Sequence, residues 1–166
     1  SKERFDKNGV LAKEGKSDKT ILDQALDNFD RIKNNNKLSF DIKDFNLNFI
    51  RGLSLKDGLS TLTDFTASII YQSIVTSFNF SKSKKLNVLI SGGGRKNSFL
   101  IDCIKHKLPS NVNLCLIDDY KIDGDFIESQ AFAYIAIRSY LKKIISFPRT
   151  TNITKPCTGG VLVENY

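Results

Sequence analysis

Leu86-Asn87-Val88-Leu89-Ile90-Ser91-Gly92-Gly93-Gly94-Arg95-Lys96-Asn97 is the stretch on which the fold turns. Its first half is a short apolar run of strand length, and it stops at glycine, as a buried strand does. A helix is predicted next, through about Lys107, and Pro109 ends it. Val112-Asn113-Leu114-Cys115-Leu116-Ile117 reads as the following strand. A strand, turn, helix and strand in that order predict two parallel strands joined by a right-handed crossover. The chain is therefore α/β, with too few strands for a complete doubly wound sheet.

The turn inside this unit is the first candidate site. Gly92, Gly93 and Gly94 carry no Cβ, so a ligand can approach their amides closely. The helix that follows aims its unpaired N–H groups and its positive dipole end back at the turn. That arrangement suits a phosphate or a ribose. Arg95 and Lys96 offer charge-assisted contacts, and Asn97 offers either a helix cap or a ligand contact. The pattern is neither the Walker phosphate loop nor the full dinucleotide fingerprint. On the residues alone, a tight structural turn stands as the alternative.

Working outward, Asp6-Lys7-Asn8-Gly9 reads as a tight turn in a turn-rich entry of residues 1–17. Ile21, Leu22, Ala25, Leu26 and Phe29 form one face of a helix over 18–30. Residues 31–53 are mostly loop and short helix, with Asn34-Asn35-Asn36 as a polar loop signal. Phe40, Phe45, Leu47, Phe49 and Ile50 are expected to anchor that segment. Ser54-Leu55-Lys56-Asp57 resembles a capping box, and a long helix is predicted from there to about residue 79. Gly58 lies inside it, at a cost of about 1 kcal/mol relative to Ala, which hints at close packing against backbone or a ligand. Asp125-Phe126-Ile127-Glu128 opens another helix, to about Lys143, with Ile127, Ala131, Tyr134, Ile135 and Ile137 on its apolar face and Arg138 as a pairing residue. Pro148 and Pro156 bracket a loop, and Val161-Leu162-Val163 reads as a short terminal strand.

Composition narrows the function classes. The 166 residues suffice for one domain or one lobe, with a core that needs no disulfide or metal. No apolar run reaches the roughly 20 residues of a membrane span. The chain opens on polar Ser1-Lys2-Glu3-Arg4 without a signal peptide, and it contains no Met, which suggests a processed or partial chain. The net charge of +7, from 25 Lys and Arg against 18 Asp and Glu, is scattered. Lys82-Ser83-Lys84-Lys85 and Lys105-His106-Lys107 are its densest groups, and no aromatic stripe accompanies them, so a solvated basic face is expected rather than a nucleic-acid site. Cys103, Cys115 and Cys157 are odd in number and widely spaced, which argues against disulfides and zinc and for a reducing, cytoplasmic compartment. Cys103 and Cys115 read as small core residues, and His106 as an exposed side chain. Asp118, Asp119, Asp123 and Asp125 crowd one loop, which reads as a solvated turn rather than a metal site.

Taken together, several stretches resemble the anhydro-N-acetylmuramic acid kinase family. They are Gly92-Gly93-Gly94-Arg95-Lys96-Asn97 and Glu128-Ser129-Gln130-Ala131-Phe132-Ala133-Tyr134, with Thr61-Leu62-Thr63-Asp64-Phe65-Thr66-Ala67 before them. Phe147-Pro148-Arg149-Thr150-Thr151 and Thr158-Gly159-Gly160 resemble the family's C-terminal ending. Phe5-Asp6-Lys7-Asn8-Gly9 through Ala12 and Gly15 resembles the segment that follows its central phosphate motif. The matches cover nearly the whole chain in the family's order.

The resemblance implies the C-terminal lobe of an actin-like ATPase (ribonuclease H-like) fold, in which two lobes face a cleft. It implies ATP-dependent phosphorylation of 1,6-anhydro-N-acetylmuramic acid at O6 while water opens the anhydro ring, giving N-acetylmuramic acid 6-phosphate in cell-wall recycling. On this reading residues 1–53 connect to a preceding N-terminal lobe, and residues 54–166 form the nucleotide- and sugar-binding lobe. Gly92, Gly93, Gly94, Arg95 and Asn97 would contact ATP along its adenosine and α-phosphate, with Mg²⁺ on the phosphates. Glu128 would help hold the sugar, although a helix-capping role is the alternative. Thr61, Thr63 and Thr66 would pack and line the cleft. The implied partners are the amino sugar and the N-terminal lobe, without nucleic acid or membrane, and a homodimer is left open.

Two departures and one gap qualify the match. The family's Asp-x-Gly-Pro-Gly-Asn motif, which carries its catalytic aspartate, does not occur in these residues, so no catalytic or metal-binding residue is assigned. A Pro-Pro-Lys-Ser-like stretch is echoed only loosely by Lys37-Leu38-Ser39-Phe40-Asp41, and Asn152 replaces the usual Gly after the paired threonines. The competing readings are a non-catalytic nucleotide-binding or regulatory domain of the same fold, and a basic nucleic-acid module.

Overall fold

The computed structural model describes residues 5–33, 45–77 and 85–163. The expectations on Ser1–Arg4, Asn34–Asn36, Lys37–Asp41 with Phe40, the end of the long helix at 78–79, and the lysines at 82–84 lie outside the described residues. The chain divides into two compact units, Ser1–Leu116 and Ile117–Tyr166.

The first unit is built on β1 (Leu86–Ile90) and β2 (Val112–Leu116), which pair in parallel from Leu86 opposite Val112 to Ile90 opposite Leu116. Between them runs α4 (Ser98–Lys107). The predicted strand–turn–helix–strand order is thus present. One face of the sheet is covered: Ala67, Ile101, Ile104 and Leu114 are buried together, with Val88, Ile90 and Leu116 packed against them. The other face differs from the expectation of a fully buried strand. Leu89 is 49% exposed there, beside exposed Asn87 and Asn113. A parallel strand is apolar throughout only when both faces are covered, and here helices cover one.

The long helix α3 (Leu55–Ser77) supplies Ala67 to that core. Two residues earlier, on the opposite side of the helix, it supplies Phe65 to a second core, with Leu22, Ala25 and Phe29 of α2 (Lys19–Lys33). Phe29 meets Phe65 edge-on at 6.2 Å between centroids and stacks on Phe45 at 5.9 Å. Phe49 tilts onto Phe65 at 5.0 Å. The expected anchors Phe45 and Phe49 therefore pin their segment, whereas Leu47 is 50% exposed. Gly58 is buried, yet an added Cβ would find its nearest neighbours at 3.8 Å, so close packing does not account for it.

The start of α3 is where the N-terminal segment docks. Ser54 Oγ accepts from the Asp57 amide at 3.2 Å and donates to its carboxylate at 2.7 Å, as the capping signal predicts. The same carboxylate accepts from the Lys16 amide at 2.8 Å, and Thr61 Oγ1 accepts from the Asp18 amide at 3.0 Å. The Lys16 amide first, and then the Ser54 hydroxyl, hold Asp57 below its ordinary carboxylate value. Helix α1 (Val10–Glu14) ends at Gly15, where a Cβ would fall 2.0 Å from the Lys56 carbonyl oxygen. Only glycine permits that contact.

The second unit contains α5 (Ile127–Tyr140) and the short α6 (Pro148–Thr151). Helix α5 ends three residues before the expected Lys143 because Lys142 turns left-handed, at φ 54°. The Lys142 amide bonds to the Ser139 carbonyl at 2.9 Å and the Lys143 amide to that of Arg138 at 2.8 Å, the two bonds of a Schellman ending. Arg138 is the structural pairing residue expected of it: Nε and Nη2 donate to the Ile144 carbonyl, and Nη1 to the Tyr134 hydroxyl. The apolar face read from the spacing is present in α5, but none of its residues is buried. The terminal strand is not formed. Val161, Leu162 and Val163 find no pairing strand among the described residues, and Val161 is 89% exposed. Asn152 caps α6 at φ 55°, so the residue replacing glycine is one that tolerates the left-handed region. Among the described residues, no helix is long and apolar enough to cross a membrane.

Candidate nucleotide site

A cavity of about 510 Å³ opens beside the glycine turn in the first unit. Gly92 leaves β1 at φ 82°, and Gly93–Lys96 make one 3-10 turn, closed by the Arg95 amide on the Gly92 carbonyl and the Asn97 amide on that of Gly94. A side chain at Gly93 would meet nothing within 4 Å, so its backbone faces open space. Gly93, Gly94, Lys96 and Asn97 form this wall of the cavity. Asn97 Oδ1 accepts from the Leu100 amide at 3.0 Å, which makes Asn97 the N-cap of α4. Of the two roles that the sequence left as alternatives for Asn97, the structure shows the helix cap, and it places the residue on the cavity wall.

Gly92 and Arg95 are placed differently. Neither lines the cavity. Arg95 is only 7% exposed and donates from Nη1 to the Gly92 carbonyl at 3.1 Å. A buried guanidinium on a carbonyl is a strong charge-assisted bond, and here it braces the turn.

A second wall comes from α3, with Leu59, Leu62, Thr63 and Thr66. Residues four and three apart share a helix face, so Thr63 and Thr66 line the cavity together, whereas Thr61, expected beside them, is buried and accepts from the Asp18 amide instead. The Thr63 and Thr66 hydroxyls donate to the Leu59 and Leu62 carbonyls at 2.8 Å, so each oxygen keeps only its capacity to accept. The third wall is Phe5, Asp6, Lys7 and Asn8. The sequence marked that segment as a tight turn and as part of the family resemblance but not as a wall of this site, because it reaches the site from the far end of the sequence. Asp6 cannot serve a cation freely, since its two carboxylate oxygens accept from the Leu11 and Ala12 amides at 3.0 and 2.9 Å.

The arrangement mixes apolar side chains, bare backbone and two lysines, Lys7 and Lys96. An aromatic base can lie on the first, a ribose or phosphate against the second, and anionic charge near the third. No group of three or more His, Cys, Asp or Glu that could hold a metal occurs among the described residues. Cys103 is half-buried, and burial pushes its thiol up, so it is poorly suited to act as a nucleophile. Glu128 belongs to the second unit. It is exposed on the first turn of α5, whose N-cap, Phe126, makes no side-chain capping bond.

Comparison with known proteins bears on the same residues. The family model described as anhydro-N-acetylmuramic acid kinase matches residues 1–165. A protein of that name from Pelagibacter ubique is 62% identical over 163 residues, 98% of this chain and 44% of its own length. Relatives of the same name from Zymomonas mobilis and Caulobacter vibrioides are 32% and 35% identical, over 94% and 96% of this chain and 41% of each relative. The chain therefore spans less than half the length of the curated relatives it matches. With the family model covering all but its last residue, the chain belongs to the anhydro-N-acetylmuramic acid kinase family.

Proposed function

We propose that this chain carries the ATP site of a kinase that converts 1,6-anhydro-N-acetylmuramic acid to N-acetylmuramic acid 6-phosphate, as part of the C-terminal lobe of an actin-like ATPase fold. The observation that carries this reading is the cavity at the glycine turn, in a chain that belongs to a kinase family. Its residues fit a nucleotide. Gly93 presents backbone with open space beside it, Leu59 and Leu62 supply an apolar wall, and Lys7 and Lys96 supply positive charge.

When bound, ATP would supply the phosphoryl group, and Mg²⁺ would offset the negative charge of its phosphates. The residues of this chain bind and orient. Gly93 and Gly94 admit the adenosine and α-phosphate to the main chain, and Asn97 keeps α4 aimed at them. Arg95 holds the turn in shape from inside the protein. Glu128 is assigned a contact to the sugar hydroxyls. The base that activates the water is assigned to none of these 166 residues.

The test is Gly93→Val in the intact kinase. Open space around Gly93 lets the protein accommodate the side chain, whereas a nucleotide in the cavity would collide with it. KM for ATP is expected to rise about tenfold or more, with KM for the sugar unchanged. An unaltered ATP affinity in titration calorimetry overturns the assignment.

A further inference from the structure

The third wall of the cavity depends on one atom that is missing. The turn Asp6–Gly9 is tied at its start, where the Asp6 carboxylate accepts the Leu11 and Ala12 amides of α1. At its other end it rests on the start of α4, where Ser98 Oγ donates to the Asn8 carbonyl at 3.2 Å. Lys7 and Asn8 lie between these ties and face the cavity that Gly93 and Gly94 line.

Gly9 is the contact point. Its φ is 71°, and a Cβ there would fall 2.5 Å from Asn97 Oδ1 and 2.6 Å from Phe99 Cβ. Both distances are well inside van der Waals contact. Asn97 Oδ1 cannot swing away without uncapping α4, because it holds the Leu100 amide. Phe99 Cβ is fixed to the helix backbone and has no rotamer to escape into. A side chain at position 9 must therefore lift the turn off α4 or displace Asn97, and each change alters the cavity.

We infer that Gly9 is a positioning residue of the nucleotide site: by seating the Asp6–Gly9 turn directly on Asn97 and Phe99, it sets the distance between the wall of Lys7 and Asn8 and the wall of the glycine turn. This rests on the reading of the cavity as the ATP site. The role extends that site to a segment that touches α4 from about ninety residues away in sequence.

The experiment compares Gly9→Ala, Ser98→Ala and Gly93→Val in the intact kinase, measuring KM for ATP, KM for the sugar, kcat at saturating ATP and the thermal midpoint. Gly9→Ala is expected to raise KM for ATP about tenfold while the sugar KM and kcat stay within about twofold. Ser98→Ala removes only the tether and is expected to raise KM for ATP about two- to threefold. If both leave KM for ATP unchanged while Gly93→Val raises it, the role of Gly9 is overturned and the ATP site stands. If Gly93→Val also has no effect, the ATP site itself falls and takes the inference with it. A Gly9→Ala enzyme that loses kcat and both KM values in parallel marks a merely structural glycine and overturns the inference. Should Gly9→Ala fail to fold, Ser98→Ala decides by the same criterion.

Discussion

Helices α2 and α5 carry the same kind of pattern into opposite surroundings. In α2, Leu22, Ala25 and Phe29 recur at helical spacing and are all buried against Phe65. In α5, Phe132, Tyr134, Ile135 and Ile137 are as apolar, yet each is exposed, Phe132 by 64%. The difference lies in what stands opposite. Helix α3 and the segment of Phe45 and Phe49 cover α2, whereas among the described residues of the second unit nothing buries a residue of α5. Helical periodicity identifies the face that is able to be buried. Burial, and the stabilisation that comes with it, needs a partner surface as well.

That contrast is most sharply tested by truncating one phenylalanine on each side of it. Phe65→Ala in this chain is expected to cost about 3–5 kcal/mol, the range for a large aromatic removed from a core. Phe132→Ala is expected to stay within about 0.5 kcal/mol, as for a surface change. Chemical denaturation of both variants checks this, and similar losses would mean that α5 is covered in solution.

If α5 contributes through ligand contact rather than core packing, its effects belong in the kinetics. Glu128→Gln in the intact kinase is expected to raise KM for the sugar about tenfold with KM for ATP unchanged. An unchanged sugar KM would return Glu128 to the solvated surface. The mirror variant in the first unit is Gly93→Val, which should move ATP alone.

The smallest expected effect concerns pH at the N-terminal end of α3. Hydrogen bonds from the Lys16 amide and Ser54 hydroxyl favour the Asp57 carboxylate, so its folded value lies below the ordinary 3.8. The unfolded chain then binds more protons, and stability rises with pH through that window. The contribution is fully present above the ordinary value and disappears as pH falls through the folded one. Asp57→Asn should flatten the acid limb of a thermal-midpoint profile taken below about pH 5. An unchanged acid limb would show that the exposed site is too well solvated to matter.

Much of the first unit was legible locally. The apolar run 86–90, the glycine stop and Pro109 mark the strand and helix boundaries within a residue or so, because each acts on the backbone beside it. Ser54 announces α3 in the same way, and Asn97 announces α4. The resemblance read from the glycine turn and the Glu128 helix agrees with the family match over residues 1–165. Less legible were the end of α5, set by a left-handed Lys142 that no glycine advertises, and the absent terminal strand. A strand exists only where another backbone pairs with it, and three valine and leucine residues cannot state that by themselves.

For the site, residue chemistry in the sequence determined that Gly92–Gly94 leave bare amides before a helix and that Asn97 can cap it. Those properties depend on a missing Cβ and on a side chain three residues from its partner amide. Only the tertiary structure decided that Arg95 turns inward to the Gly92 carbonyl, that Thr63 and Thr66 stand across the cavity, and that the Asp6–Gly9 turn closes it by resting on Asn97 and Phe99. Those are contacts between segments far apart in the chain. They form because α1, α3 and α4 pack together, and packing selects among side-chain directions that local sequence leaves open.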